Sequence, residues 1–195
     1  MDEARGVGLL TVNLGWRDLP VRDPVASHLG VPTVVGHDVR AGLLAETRLG
    51  AARGARHALF IALGTGIAGA LMLDGNAISA DGWAGELGHL VIDPSGPLCR
   101  CGTRGCLEAI ASAAAVERAY AHSTGRRLEA EHIAARARSG DSEASAVWAE
   151  AISALAQAIV ATVTITGVDL VVVVGAWPRA ARPCSRRCVQ TSRDG

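Results

Sequence analysis

The chain has 195 residues, of which 49% are hydrophobic and 19% are charged, a composition that excludes a disordered, collagen-like or coiled-coil protein. Its 19 basic residues are balanced by 19 acidic ones, so it lacks the broad charged surface of a protein that binds nucleic acid or anionic membrane. The length suits one domain or one and a half domains with a hydrophobic core.

The first part of the chain alternates short apolar runs with turn signals. Residues 7–12 form an apolar run typical of a strand, and residues 23–29 predict a short helix. Residues 31–35 are rich in β-branched side chains and stand between two glycines, which predicts a buried strand. Asp38 then occupies the N-cap position of a helix predicted over residues 39–49.

The middle of the chain predicts a strand pair followed by helices. Residues 58–63 and 67–73 read as strands joined by Gly64-Thr65-Gly66, and residues 94–105 are expected to be irregular. Helical stretches follow at 107–122, 128–139 and 143–166, before a buried strand, expected to be parallel, at 170–174. Strands mixed with helices predict an α/β fold class.

The apolar run over residues 155–174 needs comparison with a membrane span, which takes about 20 predominantly apolar residues. The run contains Gln157 and Asp169 and is interrupted by Gly167, so we expect a buried helix followed by a buried strand. The start of the chain has no basic segment followed by an apolar one. We therefore expect no signal peptide, no membrane partner and a cytoplasmic protein.

The most specific motif is Cys99-Arg-Cys-Gly-Thr-Arg-Gly-Cys106, which follows His89 by ten residues. Three thiols and one imidazole form a Cys₃His set, which closes a tetrahedral structural zinc site without an open position. Gly102 and Gly105 allow the backbone to bring the thiols together. Two alternatives stay open: disulfides, which three clustered cysteines cannot complete in pairs, and unrelated buried thiols.

Four segments together resemble the ROK family, which groups bacterial sugar kinases such as glucokinases with sugar-responsive repressors. Residues 85–89, GELGH, are similar to its GE(I/L)GH element, and residues 99–108, CRCGTRGCLE, match its CxCGxxGCxE signature at every fixed position. Residues 63–66, LGTG, resemble its phosphate-binding turn, and residues 36–38, GHD, its (E/N)-N-D. The resemblance implies an incomplete actin-like, ribonuclease-H-like ATPase fold of the sugar kinase class.

The same resemblance implies ATP-dependent phosphorylation of a hexose, with Mg²⁺-bound ATP as co-substrate and a structural Zn²⁺. Asp38 would be the general base that accepts the proton of the attacking hydroxyl; its spacing alone favours a helix cap instead, and the two roles are compatible. The residues implied to bind sugar are Asn13, His37, Glu86, His89 and Glu108. Those implied to contact ATP are Gly64, Thr65, Gly66 and Gly69, and those implied to hold zinc are His89, Cys99, Cys101 and Cys106. From the residues alone, Glu86 and Glu108 could also be solvated surface acids.

The sequence departs from the family pattern in three places. It has no D-x-G-G-T phosphate loop, and His37 replaces the usual Asn, which would make sugar affinity sensitive to pH near neutrality. The strand at 170–174 continues into an Arg- and Cys-rich tail, as a frameshift would produce. We therefore expect a chain truncated at both ends and weakly active alone. Its expected parts are a remnant of the N-terminal lobe (1–36), a C-terminal lobe with the zinc loop and helices (37–175) and an irregular tail (176–195).

A sugar-responsive repressor of the same family is the alternative function. Such a protein carries a winged helix upstream, so a nucleic-acid partner is expected only if that segment exists. The resemblance also implies a homodimer. The sequence does not indicate which hexose is bound.

Overall fold

A computed structural model describes residues 1–11, 15–175 and 188–190. Asn13 and most of the predicted tail therefore lie outside the described residues. The strands are β1 (Val7–Thr11), β2 (Trp16–Pro20), β3 (Ala58–Leu63), β4 (Ile67–Leu73), β5 (Asn76–Ala77), β6 (Leu170–Gly175) and β7 (Cys188–Gln190). The helices are α1 (Arg22–Leu29), α2 (Asp38–Leu49), α3 (Leu107–Ala111), α4 (Ala113–Thr124), α5 (Ala130–Arg138) and α6 (Ser142–Thr166).

The central sheet has the strand order β5-β4-β3-β6-β7, and β1 and β2 form a separate antiparallel pair. β3 and β4 make an antiparallel hairpin in which Leu63 pairs with Ile67, so Gly64-Thr65-Gly66 forms the tight connection. β6 pairs in parallel with β3, as its run of four valines predicted. The mixed sheet and its helices confirm the α/β class.

Alternation along β3 divides the core between the two faces of the sheet. Leu59, Ile61 and Leu63 pack with residues of α3 to α6 in the larger cluster, whose fully buried side chains include Tyr120 and Ile133. The opposite face carries the smaller cluster, in which Val39 and Leu43 of α2 pack with Phe60, Met72 and Val172. Each fully buried side chain of this size contributes about 1.5–3 kcal/mol, so both helix layers are held by apolar burial.

The long helix α6 meets the length and composition of a membrane span, although only 28% of its most apolar window is buried. Its buried side chains recur at helical spacing, as in Ala144, Trp148, Ala151, Leu155 and Ala158, and they belong to the larger core cluster. A single helix of this kind is weak support for a membrane location. The helix ends at Gly167, where φ is +70°, and β6 follows as expected.

Three predicted elements differ from the structure. Residues 31–35 form no strand, and Val34 is 92% exposed; Pro32 lacks the N–H that a ladder needs. The stretch 107–122 is two helices, because Ser112 adopts extended backbone and its hydroxyl accepts from Ala115 N at the start of α4. Within the tail predicted to be irregular, β7 pairs in parallel with β6.

Candidate functional site

The GELGH segment lies directly against strand β4. Gly69 N donates to Gly85 O across 2.7 Å, and Gly85 has φ of +96°, a conformation that favours glycine. A Cβ at Gly88 would lie 2.1 Å from the carbonyl oxygen of Ile67. These glycines therefore allow the segment that carries Glu86 and His89 to approach the hairpin backbone closely.

The cysteine loop is closed by its own backbone hydrogen bonds. Cys99 N donates to Thr103 O across 2.8 Å, and Leu107 N donates to Leu90 O across 2.9 Å. Gly105 has φ of +70°, and a Cβ there would lie 1.4 Å from Asp93 O. The end of the loop therefore packs against residues 90–93, which precede it, and Cys106 comes close to Cys99.

The four predicted metal ligands come together in one cluster. The ligand atoms of His89, Cys99, Cys101 and Cys106 all lie within 4.8 Å of one another. Cys101 Sγ is 3.6 Å from Cys106 Sγ, and Cys99 Sγ is 3.8 Å from His89 Nδ1. A tetrahedral zinc site with Zn–S bonds of about 2.3 Å separates its sulfurs by about 3.8 Å. The three thiols are free cysteines, so their spacing fits a metal cage and not a disulfide.

The thiols of the cluster differ in their acidity. A backbone hydrogen bond from Thr103 lowers the pKa of the exposed Cys101 thiol to about 7. Burial raises the pKa of the Cys106 thiol to about 12. The hydrogen bond and the burial thus shift the pKa values of these two thiols in opposite directions.

His89 connects the cysteine cluster to Glu86. Its Nδ1 faces the thiol of Cys99, while its Nε2 lies 3.9 Å from Glu86 Oε2. A metal-ligating histidine commonly has its second ring nitrogen next to a carboxylate, which orients the ring. The carboxylate of Glu86 is nearly half exposed, so one of its sides is accessible to a small molecule.

Glu108 connects the cysteine cluster to the β3–β4 turn. It follows Cys106 by two residues in the first turn of α3, and its Oε2 accepts from Ile67 N across 3.0 Å. A Cβ at Gly66 would lie 2.5 Å from the same oxygen. Glu108 and Thr65 also line one cavity of about 240 Å³. The absence of a side chain at Gly66 was the only sequence signal for this contact.

The Gly64-Thr65-Gly66 turn leans against the start of α4. Ala113 N donates to Gly64 O across 3.0 Å, and Gly64 N donates to Gly66 O across 2.9 Å. Thr65 is exposed, so its hydroxyl and the turn backbone can contact a phosphate group. Gly69 lies further along β4, buried against the GELGH segment, and therefore serves close packing in this structure.

Asp38 stands apart from the cluster. Its side chain is 94% exposed at the start of α2, the helix that covers the opposite face of the sheet from α3. Its Oδ1 accepts from Val39 N at 2.8 Å and lies 3.5 Å from His37 Nδ1. His37, not Asp38, is the N-cap residue. Within the described residues, no hydrogen bond or ion pair joins Asp38 to Glu86, His89 or Glu108.

The segment before α2 is held by two residues that sequence reasoning missed. Glu3 Oε1 accepts from His37 N across 3.2 Å and from the guanidinium of Arg40. Arg40 is only 6% exposed, and its hydrogen bond holds the pKa of Glu3 below its usual range. A lone Glu and a lone Arg at positions 3 and 40 carry no motif, so no sequence signal pointed to this pair.

The fold and the site define an α/β protein with a glycine-rich hairpin turn beside a Cys₃His loop. The model of the ROK family matches residues 3–182, and the chain belongs to the ROK family. A glucokinase of Thermotoga maritima is 34% identical over 92% of this chain and 62% of its own length. The repressor Mlc of Escherichia coli is 36% identical over 49% of this chain and 24% of its own length.

Solved structures agree with this assignment. The ROK hexokinase from Thermus thermophilus matches with a TM-score of 0.80 and 33% identity, covering 90% of this chain and 59% of that one. A ROK glucokinase from Streptomyces griseus in complex with glucose and AMPPNP matches with a TM-score of 0.78 and 30% identity, covering 88% of this chain and 61% of that one. The fold is therefore that of the ROK kinases, and the chain spans about three fifths of the length of these relatives.

Proposed function

We propose that this chain is part of an ATP-dependent hexose kinase of the glucokinase type, with Mg²⁺-bound ATP as the phosphoryl donor. The contact between Glu108 and Ile67 N carries this proposal. Through it, one carboxylate lies beside the β3–β4 turn while its helix begins at the cysteine cluster that also holds His89. The proposed sugar site and the β3–β4 turn, which is proposed to face phosphate, would therefore lie side by side.

The acids of this neighbourhood suit a sugar because ring hydroxyls need several hydrogen-bond partners. The carboxylate of Glu86 is nearly half exposed, and that of Glu108 lines the 240 Å³ cavity with Thr65. We propose that Glu86, Glu108 and the Nε2 side of His89 bind the hexose. Thr65 and the backbone of Gly64 and Gly66 would then face the transferred phosphoryl group, since phosphoryl transfer is mostly positioning and charge stabilisation.

Asp38 is the proposed general base, which orients the attacking hydroxyl and takes its proton. Both of its described contacts fall on Oδ1, so Oδ2 remains for the sugar. His37 lies beside it with Nδ1 toward the same carboxylate. We propose that His37 also contacts the sugar, in place of the asparagine of other family members.

The Cys₃His cluster would hold Zn²⁺ through His89 Nδ1 and the three thiols. Four protein donors leave no open position, so the ion supplies structure and no reactive water. These ligands also position the two acids. His89 contacts Glu86, and Cys106 immediately precedes the helix that carries Glu108. A bound ion would therefore hold both carboxylates in position.

Hexose-dependent release of ADP by the purified chain tests the kinase proposal. Asp38→Asn should lower the rate by about 10²–10⁴-fold, the usual contribution of a general base. Glu150→Gln changes an exposed acid on α6 and should leave the rate unchanged. Equal rates for wild type and Asp38→Asn would contradict the role of Asp38.

A sugar-responsive repressor is the second candidate, because repressors of the family match about half of the chain. The greater coverage by the Thermotoga maritima glucokinase favours the kinase. The same assay separates the two functions. Glucose-dependent ADP release, even at the low rate expected of this chain alone, would exclude a purely regulatory role.

A further inference from the structure

Two cavities meet at one arginine on α4. The 240 Å³ cavity beside Thr65 and Glu108 shares Ala114 and Arg118 with a second, open cavity of about 770 Å³ that runs toward the start of α5. Arg118 therefore stands between the phosphate turn and a groove large enough for the remainder of a nucleotide.

The charges of the two cavities differ. The smaller one has two guanidiniums, of Arg100 and Arg118, against the single carboxylate of Glu108, whose Oε2 is already bonded to Ile67 N. Apart from the shared Arg118, the larger one carries no excess of positive charge, because the acids Glu117 and Glu129 face the bases His122 and Arg127. An anionic group is therefore favoured at the Thr65 end, and an uncharged group beyond Arg118.

Arg118 is suited to bind that anion. Its side chain is exposed, and within the described residues no hydrogen bond or ion pair engages it. A guanidinium binds phosphate oxygens with charge-assisted hydrogen bonds. We infer that Arg118 contacts the phosphate chain of the nucleoside triphosphate and orients it between the Thr65 turn and the open groove. This inference rests on the proposed kinase function and adds a donor-binding residue to it.

Calorimetric titration of the full chain tests the inference with three probes: Mg²⁺-bound ATP, tripolyphosphate and glucose. Arg118→Ala should weaken binding of ATP and of tripolyphosphate by about tenfold each, and Arg118→Lys should recover part of the loss. The affinity for glucose should not change. Arg138→Ala removes an exposed arginine of α5 that lines neither cavity, and it should bind all three probes as wild type does. Circular dichroism checks that each variant is folded.

The outcomes separate the inference from the function on which it rests. Unchanged affinity of Arg118→Ala for ATP would overturn the inference, and so would a loss for ATP without a loss for tripolyphosphate. A wild-type chain that binds glucose but neither phosphate probe would also overturn it, while leaving the hexose site in place. A wild-type chain that binds none of the three probes would overturn the kinase proposal itself.

Discussion

The cysteine loop and the segment before Asp38 carry the two parts of the proposed chemistry, and they are held in different ways. The loop is fixed by hydrogen bonds within itself and to the segment that precedes it, such as Cys99 N to Thr103 O and Ile92 N to Gly105 O. Residues 31–37 form no strand and contain Val34, which is 92% exposed; their end is held by Glu3, 34 residues before His37. Local contacts specify the first region, and distant contacts specify the second.

The largest expected effect is the loss of the metal cage in Cys106→Ser. Cys106 is fully buried, and losing a structural metal costs at least about 4 kcal/mol of unfolding free energy. Elemental analysis should find one zinc per wild-type chain and far less in the variant, and chemical denaturation should show the loss of stability. Cys188→Ser, a cysteine outside the motif, should retain the metal. Equal zinc content in both variants would contradict the proposed cage.

Two glycines of the cysteine loop offer a matched comparison of crowding. Gly102 and Gly105 both have positive φ, but a Cβ at Gly105 would overlap Asp93 O, whereas nothing lies within 4 Å of one at Gly102. Gly105→Ala should therefore cost about 3 kcal/mol of unfolding free energy and Gly102→Ala about 1 kcal/mol. Thermal or denaturant unfolding measures both. Equal losses would show that the loop is not closed by the contact at Asp93.

Glu3→Gln tests the distant anchor of the second region. In this variant Arg40 stays buried but loses its charged partner. The unfolding free energy should fall by about 1–2 kcal/mol, a figure that allows for the partly exposed Glu3 carboxylate. Because the folded-state pKa of Glu3 is lowered by Arg40, this stability is present above the unfolded pKa and is lost as pH falls through the folded pKa. Denaturation curves should differ at pH 7 and converge in acid. A difference that persists in acid would exclude the ion pair as the cause.

The smallest expected effect on stability is that of Asp38→Asn. The side chain is 94% exposed, and the preceding residue is the N-cap, so the unfolding free energy should stay within about 0.5 kcal/mol of wild type. Unchanged stability together with a lower rate of ADP release would show that Asp38 acts in the reaction and does not support the fold. A clear drop in melting temperature would indicate that Asp38 supports α2 instead.

Most of the fold could be predicted from local patterns. β3 and β4 were predicted to the residue, because an apolar run bounded by Gly64-Thr65-Gly66 has few alternatives. The strand predicted at 31–35 was wrong, because β-branched residues indicate a strand only where a neighbouring strand accepts their backbone. The break at Ser112 was missed because the apolar periodicity continues from α3 into α4, while a single hydroxyl caps the second helix.

The metal-ligand cluster was predictable because its members lie within 18 residues of one another in the sequence. The cluster of His89, Cys99, Cys101 and Cys106 is close in sequence, and the structure brings its ligand atoms together. The contact from Glu108 to Ile67 spans 41 residues, and the Glu3–Arg40 pair has no motif, so both required the fold. The roles of Asp38, Glu86 and Glu108 in catalysis and sugar binding stay predictions, as does that of Asn13.

Titration of glucose into the zinc-loaded chain, beside Glu86→Gln and the exposed control Glu150→Gln, tests the hexose site most directly. Glu86 lies at His89 Nε2 with an accessible carboxylate, so its neutral amide should weaken glucose binding by about tenfold or more, while Glu150→Gln binds as wild type does. Glucose affinity that is the same in wild type and Glu86→Gln would contradict the account.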